Sequence, residues 1–399
     1  MTGLREMFED LAESPPPPSQ VTGDEMYTAG RQRRRRRTRI IKAVTTLAVT
    51  AVAAAAASVV NVMSPPPEPA GGSDPLPAGN INWTGAADAR HLYAAVQACP
   101  DQSCSKVLTQ LYFSDNGGQG WTPRGDAIML VDATVVGPST LVATIAGKAA
   151  PSVSTNGGHT WTLAQRRSPA AAVPPGAALF CWTESDSSWC RPYVVDPAGG
   201  WFAALTKPPA LAQQAQWVRA GDRLWAAGTN TNGQPAVAVS TDAGRTWSTR
   251  TLACPRQECS AVVTTTADGN TAYAVVTAPY IRIVYRGGVT GGWTRMSTQK
   301  TADKGGVGGE RSFVTADGTH VLYDSVPVGV LDGRSFWANS GPDTPYQRVA
   351  MEGLPATVYP ILRTPDGWFF THSYGRERAL YGSADGRHWS VIPSTLTKE

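Results

Sequence analysis

Among the side chains that could do chemistry here, the six cysteines have the clearest spacing. All lie after residue 98, in three close pairs: Cys99 with Cys104, Cys181 with Cys190, and Cys254 with Cys259. Thiols this close can close short loops as disulfides or hold a metal. Spacing alone leaves the connectivity open. No C-x-x-C occurs and the five histidines are dispersed, so local disulfides are favoured over a zinc site. No metal and no cofactor is expected. P-loop, G-x-S-x-G and H-E-x-x-H patterns are missing from the sequence. The Gly-rich stretch KGGVGGE (304–310) lacks phosphate-cradling spacing and reads as a rim loop.

Charge narrows the partners. Residues 1–42 hold nine Lys/Arg and six Asp/Glu, leaving 26 basic and 25 acidic groups for the rest. The bulk of the chain is nearly neutral, so nucleic acid is not an expected partner. The 40 glycines and 31 prolines point to many tight turns between short strands, an all-β architecture.

One pattern recurs with fixed spacing. SDNGGQGW (114–121), STNGGHTW (154–161), STDAGRTW (240–247) and SADGRHW (383–389) each place Ser, then Asn or Asp, then Gly, then Trp. The residues are Ser114, Asn116, Gly118 and Trp121; Ser154, Asn156, Gly158 and Trp161; Ser240, Asp242, Gly244 and Trp247; and Ser383, Asp385, Gly386 and Trp389. A short carboxylate or amide accepts turn N–H groups, glycine supplies positive φ, and Trp buries a large face. The pattern resembles the Asp-box of sialidase-like β-propellers, where it plays a structural part on a peripheral turn. His159 and His388 occupy variable box positions, so they are expected as exposed turn residues.

Weaker copies end at Trp201, Trp293 and Trp337, giving seven tryptophans 40 to 52 residues apart. That period implies a β-propeller of seven blades, with six as the alternative. RLWAAG (223–228), PAVAVS (235–240) and TAYAVV (271–276) are expected strands. ACPDQSCS (98–105) echoes ACPRQECS (253–260), which suggests two stapled loops.

The resemblance also implies what an enzyme of this kind would need: three arginines on a substrate carboxylate, a Tyr nucleophile paired with Glu, and an Asp acid/base. Arg282, Arg311 and Arg363 could supply the first, and Tyr359 or Tyr374 with Glu310 or Glu377 the second. Arg282-Ile283-Val284 is the nearest match to the family's RIP motif, without its proline. The sequence singles out no catalytic set. The expectation is therefore a binding or scaffold module for a protein or glycan, with a sialidase-like exo-glycosidase as the alternative.

The elements that must position such a domain are read from the N-terminus. Residues 43–63 carry no charge and span roughly 31 Å as a helix, at about 1.5 Å per residue. The eight Lys/Arg between Arg31 and Lys42 orient that span with its N-terminus in the cytoplasm. An uncleaved signal-anchor is favoured over a cleaved signal peptide because the leading segment is long. Within residues 2–13, Leu4, Met7, Phe8 and Leu11 form an amphipathic helical face suited to a cytoplasmic protein partner, the basis of a third reading as a transmembrane sensor. The expected organisation is a cytoplasmic segment (1–42), a membrane span (43–63), a Pro-rich linker (64–80) and an extracytoplasmic domain (81–399).

Overall fold

A computed structural model describes residues 76, 80–98, 108–182, 191–255, 259–278, 281–300, 310–324, 336–339, 344–355, 358–373 and 379–393. The expected amphipathic helix, the membrane span, most of the linker, and Cys99, Cys104, Cys190, Tyr374 and Glu377 lie outside the described residues, as does the side chain of Glu310. The described residues all lie in one compact unit, Pro67–Glu399. No helix among the described residues is long and apolar enough to cross a membrane.

The described residues form seven four-stranded sheets and no helix. Blade 1 holds β1 (Asn80–Ala86), β2 (Leu92–Ala98), β3 (Leu108–Ser114) and β4 (Thr122–Ile128). Blade 2 holds β5 (Leu130–Gly137), β6 (Thr140–Ile145), β7 (Ser152–Ser154) and β8 (Thr162–Leu163). Blade 3 is assembled from β9 (Gln165–Arg166), β10 (Ala178–Trp182), β11 (Arg191–Asp196) and β12 (Trp201–Ala204). Blade 4 holds β13 (Gln213–Ala220), β14 (Arg223–Thr229), β15 (Pro235–Ser240) and β16 (Ser248–Thr251). Blade 5 follows with β17 (Ser260–Thr265), β18 (Thr271–Ala278), β19 (Ile281–Gly288) and β20 (Thr294–Lys300). Blade 6 comprises β21 (Glu310–Val314), β22 (His320–Asp324), β23 (Phe336–Asn339) and β24 (Gln347–Val349). Blade 7 ends the ring with β25 (Leu362–Arg363), β26 (Phe369–His372), β27 (Leu380–Ser383) and β28 (Ser390–Ile392). This is a seven-bladed β-propeller; the six-blade alternative is set aside.

The sequence builds blades because each sheet is covered on both faces. Its middle strands read as nearly continuous small and branched apolar runs. All six residues of β15 are buried, as are the five central residues of β14. Outer strands turn polar: STRT of β16 is mostly exposed. The buried apolar residues fall into seven clusters, one in each seam between neighbouring blades. The core is thus a ring of seams. Each seam needs side chains that interlock from two sheets, which explains the heavy use of Trp, Tyr and Phe there.

Two weaker repeat copies sit elsewhere than expected. Trp201 opens β12, so the Gly-Gly turn before it joins the second and third strands of blade 3. The outer strand of that blade is β9, which precedes the rest of the sheet in sequence and pairs parallel to β12. Trp337 lies inside β23, a third strand. Only Trp293, between β19 and β20, occupies the same place as the four strong copies.

Candidate functional site

The four strong repeats form one hydrogen-bonded unit between a third and a fourth strand. In blade 4, Ser240 Oγ donates to Asp242 Oδ1 at 2.7 Å and accepts the Gly244 amide at 2.7 Å. Asp242 also accepts the Thr246 amide at 2.9 Å and the Thr246 hydroxyl at 2.6 Å. Trp247 Nε1 donates back to the Gly244 carbonyl at 3.2 Å. In the other three boxes Ser114, Ser154 and Ser383 donate to Asn116, Asn156 and Asp385, and accept the amides of Gly118, Gly158 and Gly386. Trp121 and Trp389 close their turns as Trp247 does. The glycines at this position have φ between 78° and 90°. His159 and His388 are exposed on these turns. His388 bonds Asp385 at 2.6 Å.

These carboxylates are committed to their turns. The Thr246 hydroxyl and amide hold Asp242 at a pKa of about 2. Thr266, then Asn270, hold Asp268 at about 2. Burial pushes Asp385 up, but the bonds from His388, Arg387 and Ser383 outweigh it and leave the group below its usual range. Such groups stay ionised at neutral pH and are poor proton donors.

The arrangement of strands defines two faces. Outside blade 3, the first–second and third–fourth turns of an antiparallel blade lie at one end, the box face. There the turns are short. On the opposite face leave the longer connections: from Ala98 to Leu108, from Lys300 to Glu310, from Asp324 to Phe336 and from Val349 to Leu362. Long connections on a rigid scaffold are where propellers and barrels commonly contact ligands.

Polar side chains of blades 6 and 7 converge toward this opposite face. Arg311, next to the start of β21, is partly buried; burial pulls its pKa down, against the pull of Tyr323 and Tyr359. Tyr323 Oη accepts the Ile361 amide at 2.8 Å. Tyr359 stacks on His372 with ring centres 3.9 Å apart, and its amide bonds the His372 carbonyl at 2.9 Å. Burial, helped by Arg311, lowers the pKa of His372 to about 3, so the imidazole is neutral. Asp132 on the inner strand β5 is exposed, yet the protein around it pushes its carboxyl above the usual range.

The arginines singled out by sequence do not meet. Arg311 is on the inner strand of blade 6. Arg282 is buried on β19 with its guanidinium 5.8 Å from the Trp337 ring. Arg363 lies over Phe369 at 5.3 Å and feels Asp268. Of the residues singled out, Arg311 and Tyr359 interact with each other, although the expected partners were Arg282 and Arg363 for the first and Glu310 or Glu377 for the second.

Two devices escaped the sequence reading. In blades 5, 6 and 7 the first–second turn is T-x-D-G, where Thr266, Thr315 and Thr364 hydroxyls donate to Asp268, Asp317 and Asp366. Gly269, Gly318 and Gly367 return their amides to the Thr carbonyls at 2.9–3.0 Å. The T-x-D-G string itself, three times in the last third of the chain, was the available signal. In blade 6 Asn339 and Tyr346 take the Ser and Trp places of a box. Asn339 bonds Thr344 both ways, and Tyr346 Oη lies 2.5 Å from His320 Nδ1.

Disulfide chemistry is present. Cys254 is bonded to Cys259 in the connection from β16 to β17, and Cys181 is also disulfide-bonded.

No protein-family model matches the chain, and no curated protein matches it by sequence. Solved structures resemble it in fold. A prolyl endopeptidase matches at TM-score 0.50 with 10% identity, over 79% of this chain and 49% of that one. A GH74 enzyme of Niastella koreensis matches at TM-score 0.38 with 13% identity, over 80% of this chain and 66% of that one. TolB from Acinetobacter baumannii matches at 0.39 with 14% identity, over 76% and 63%. The chain spans less than two thirds of the length of each. What the fold defines is a class: a seven-bladed propeller, an architecture that hosts many functions.

Proposed function

We propose that this chain is a membrane-anchored, extracytoplasmic propeller that binds a protein or glycan through the face opposite its boxes. The observation carrying the binding half is the meeting of Arg311, Tyr359 and neutral His372 on the face from which the long connections leave. An arginine and stacked aromatics recognise polar partners without needing a reactive group. Most glycosidases use two carboxyl groups of different proton affinity, and a sialidase-like set replaces the nucleophilic one by Tyr beside Glu, with an Asp acid/base. Asp132 alone shows a raised pKa among the described carboxylates with a resolved shift; the others with one are lowered, Asp242, Asp268 and Asp385 by their turns. Asp132 is also what favours the second reading, a sialidase-like exo-glycosidase with this carboxyl as acid. The four boxes support membership of the Asp-box propellers.

The anchor rests on the uncharged 43–63 span and the basic block ahead of it. Disulfide bonds at Cys254–Cys259 and Cys181 support an oxidising compartment for the propeller. Residues 2–13 then face the cytoplasm, available to a protein partner. The test is the full-length protein in detergent micelles on a glycan array, scored for binding and for bond cleavage. Saturable binding weakened at least tenfold by Arg311→Ala supports the reading. Cleavage of a terminal sugar, abolished by Asp132→Asn, replaces it with the second.

A further inference from the structure

Six of the seven seams are bridged by the chain as it passes from one blade to the next. The seam between blade 7 and blade 1 is not. Both blades are complete from their own consecutive strands, β25 to β28 and β1 to β4, so no strand is exchanged across this joint. Packing closes it: Phe370, Leu380 and Ile392 of blade 7 meet Ile81 and Trp121 of blade 1. Thr84 Oγ1 and His372 Nδ1 add a hydrogen bond of 3.0 Å. One further member of the cluster belongs to neither blade. Leu76 precedes β1, and its exposure is 0%.

We infer that Leu76 is a latch: the segment leading into the propeller supplies the side chain that shuts the ring's one unbridged seam. A joint crossed by a short connection re-forms quickly because its halves stay at high effective concentration. A joint without that connection depends on its own packing, and a fully buried leucine is a large share of it. Whatever pulls on the chain ahead of Leu76 therefore loads this seam before any other. The inference concerns the propeller alone and does not rest on the function proposed above.

The test is hydrogen exchange of the full-length protein in detergent micelles, comparing Leu76→Ser and Leu76→Met with the parent. The latch predicts exchange at least tenfold faster in β1, β26 and β27 for Leu76→Ser. Strands β14 and β17, at the seam between blades 4 and 5, should keep their parent rates, and Leu76→Met should behave as the parent. Unchanged exchange at the 7–1 seam overturns the inference, and so does equal acceleration at both seams. Should Leu76→Ser fail to fold, Leu76→Ala takes its place: faster exchange confined to the 7–1 seam supports the latch, and parent rates there or equal acceleration at both seams overturn it.

Discussion

Asp242 accepts the Ser240 hydroxyl at 2.7 Å while Ser240 accepts the Gly244 amide at the same distance. The serine is therefore fully used and cannot turn away without leaving a buried N–H unpaired. Asp242→Ala removes the acceptor for Ser240 and for both Thr246 donors. Turn bonds of this kind are worth about 1 kcal/mol each net, so the three together predict a loss of about 2–3 kcal/mol. A urea titration with a Thr246→Val comparison, which removes only the hydroxyl bond and costs less, would check it.

Ala243 is the one non-glycine residue with positive φ among the described residues, at 58°. Boxes 1 and 2 place Gly117 and Gly157 at the same point, with φ of 72° and 70°. Ala243→Gly should relieve left-handed strain and stabilise by up to about 1 kcal/mol, after the entropy cost of glycine. A fall in the thermal midpoint would contradict this account of the turn. The opposite change, Gly118→Ala, should be severe, because a Cβ there would overlap Ile392 across the 7–1 seam at φ of 87°.

Two buried histidines set a pH window. His320 and His372 have pKa values lowered to about 3, by burial and for His372 also by Arg311. A lowered pKa on a base means that the unfolded chain binds protons the native state refuses. Their contribution is full above about pH 6.5 and is lost as pH falls from there toward 3. Asp242 and Asp268, lowered to about 2, add a second loss below about pH 4 in the same direction. His388, raised chiefly by its bond to Asp385, acts in the opposite sense but is fully exposed. Stability should therefore fall between pH 6.5 and 4.5, and the double variant His320→Gln/His372→Gln should flatten that slope. An unchanged slope in the variant would place the acid sensitivity elsewhere.

Cys254 and Cys259 lie five residues apart in the chain, with Cys259 buried against the 4–5 seam. Closing a loop this short contributes at most about 2 kcal/mol by chain entropy. Cys254→Ser/Cys259→Ser should lower the thermal midpoint modestly and leave the 7–1 seam untouched by hydrogen exchange. Loss of the whole fold would show the bond to be more than a local staple.

The parts of this fold legible in sequence were those carried by local hydrogen bonding. Ser, Asn or Asp, Gly and Trp at fixed offsets specify a turn by themselves, so Trp121, Trp161, Trp247 and Trp389 marked hairpins from sequence alone, and the structure puts each between a third and a fourth strand. Trp201 and Trp337 misled because a Gly-rich stretch before Trp also suits a second–third hairpin, and any inner face of a blade welcomes an indole. The parallel pairing of β9 with β12 has no local code, since two residues of an outer edge carry no periodicity. Blade 6 gave no box signal because Asn339 and Tyr346 stand at the Ser and Trp places and make different bonds, to Thr344 and His320. For the site, Arg311 and Tyr359 were on the sequence's shortlist, but their meeting with His372 depends on two blades side by side. Asp132 gave no signal: one aspartate in VDATVV carries no spacing or motif that marks it.

The central claim is that the face opposite the boxes is the binding face, and that it lies outside the cytoplasm. The direct measurement is photo-crosslinking on intact cells, with a photoreactive residue at Tyr359 on that face or at Thr241 on the box face, detected by a membrane-impermeant label. The account predicts labelled adducts from position 359 and few from 241. Adducts confined to 241, or no label reaching either position, would contradict it.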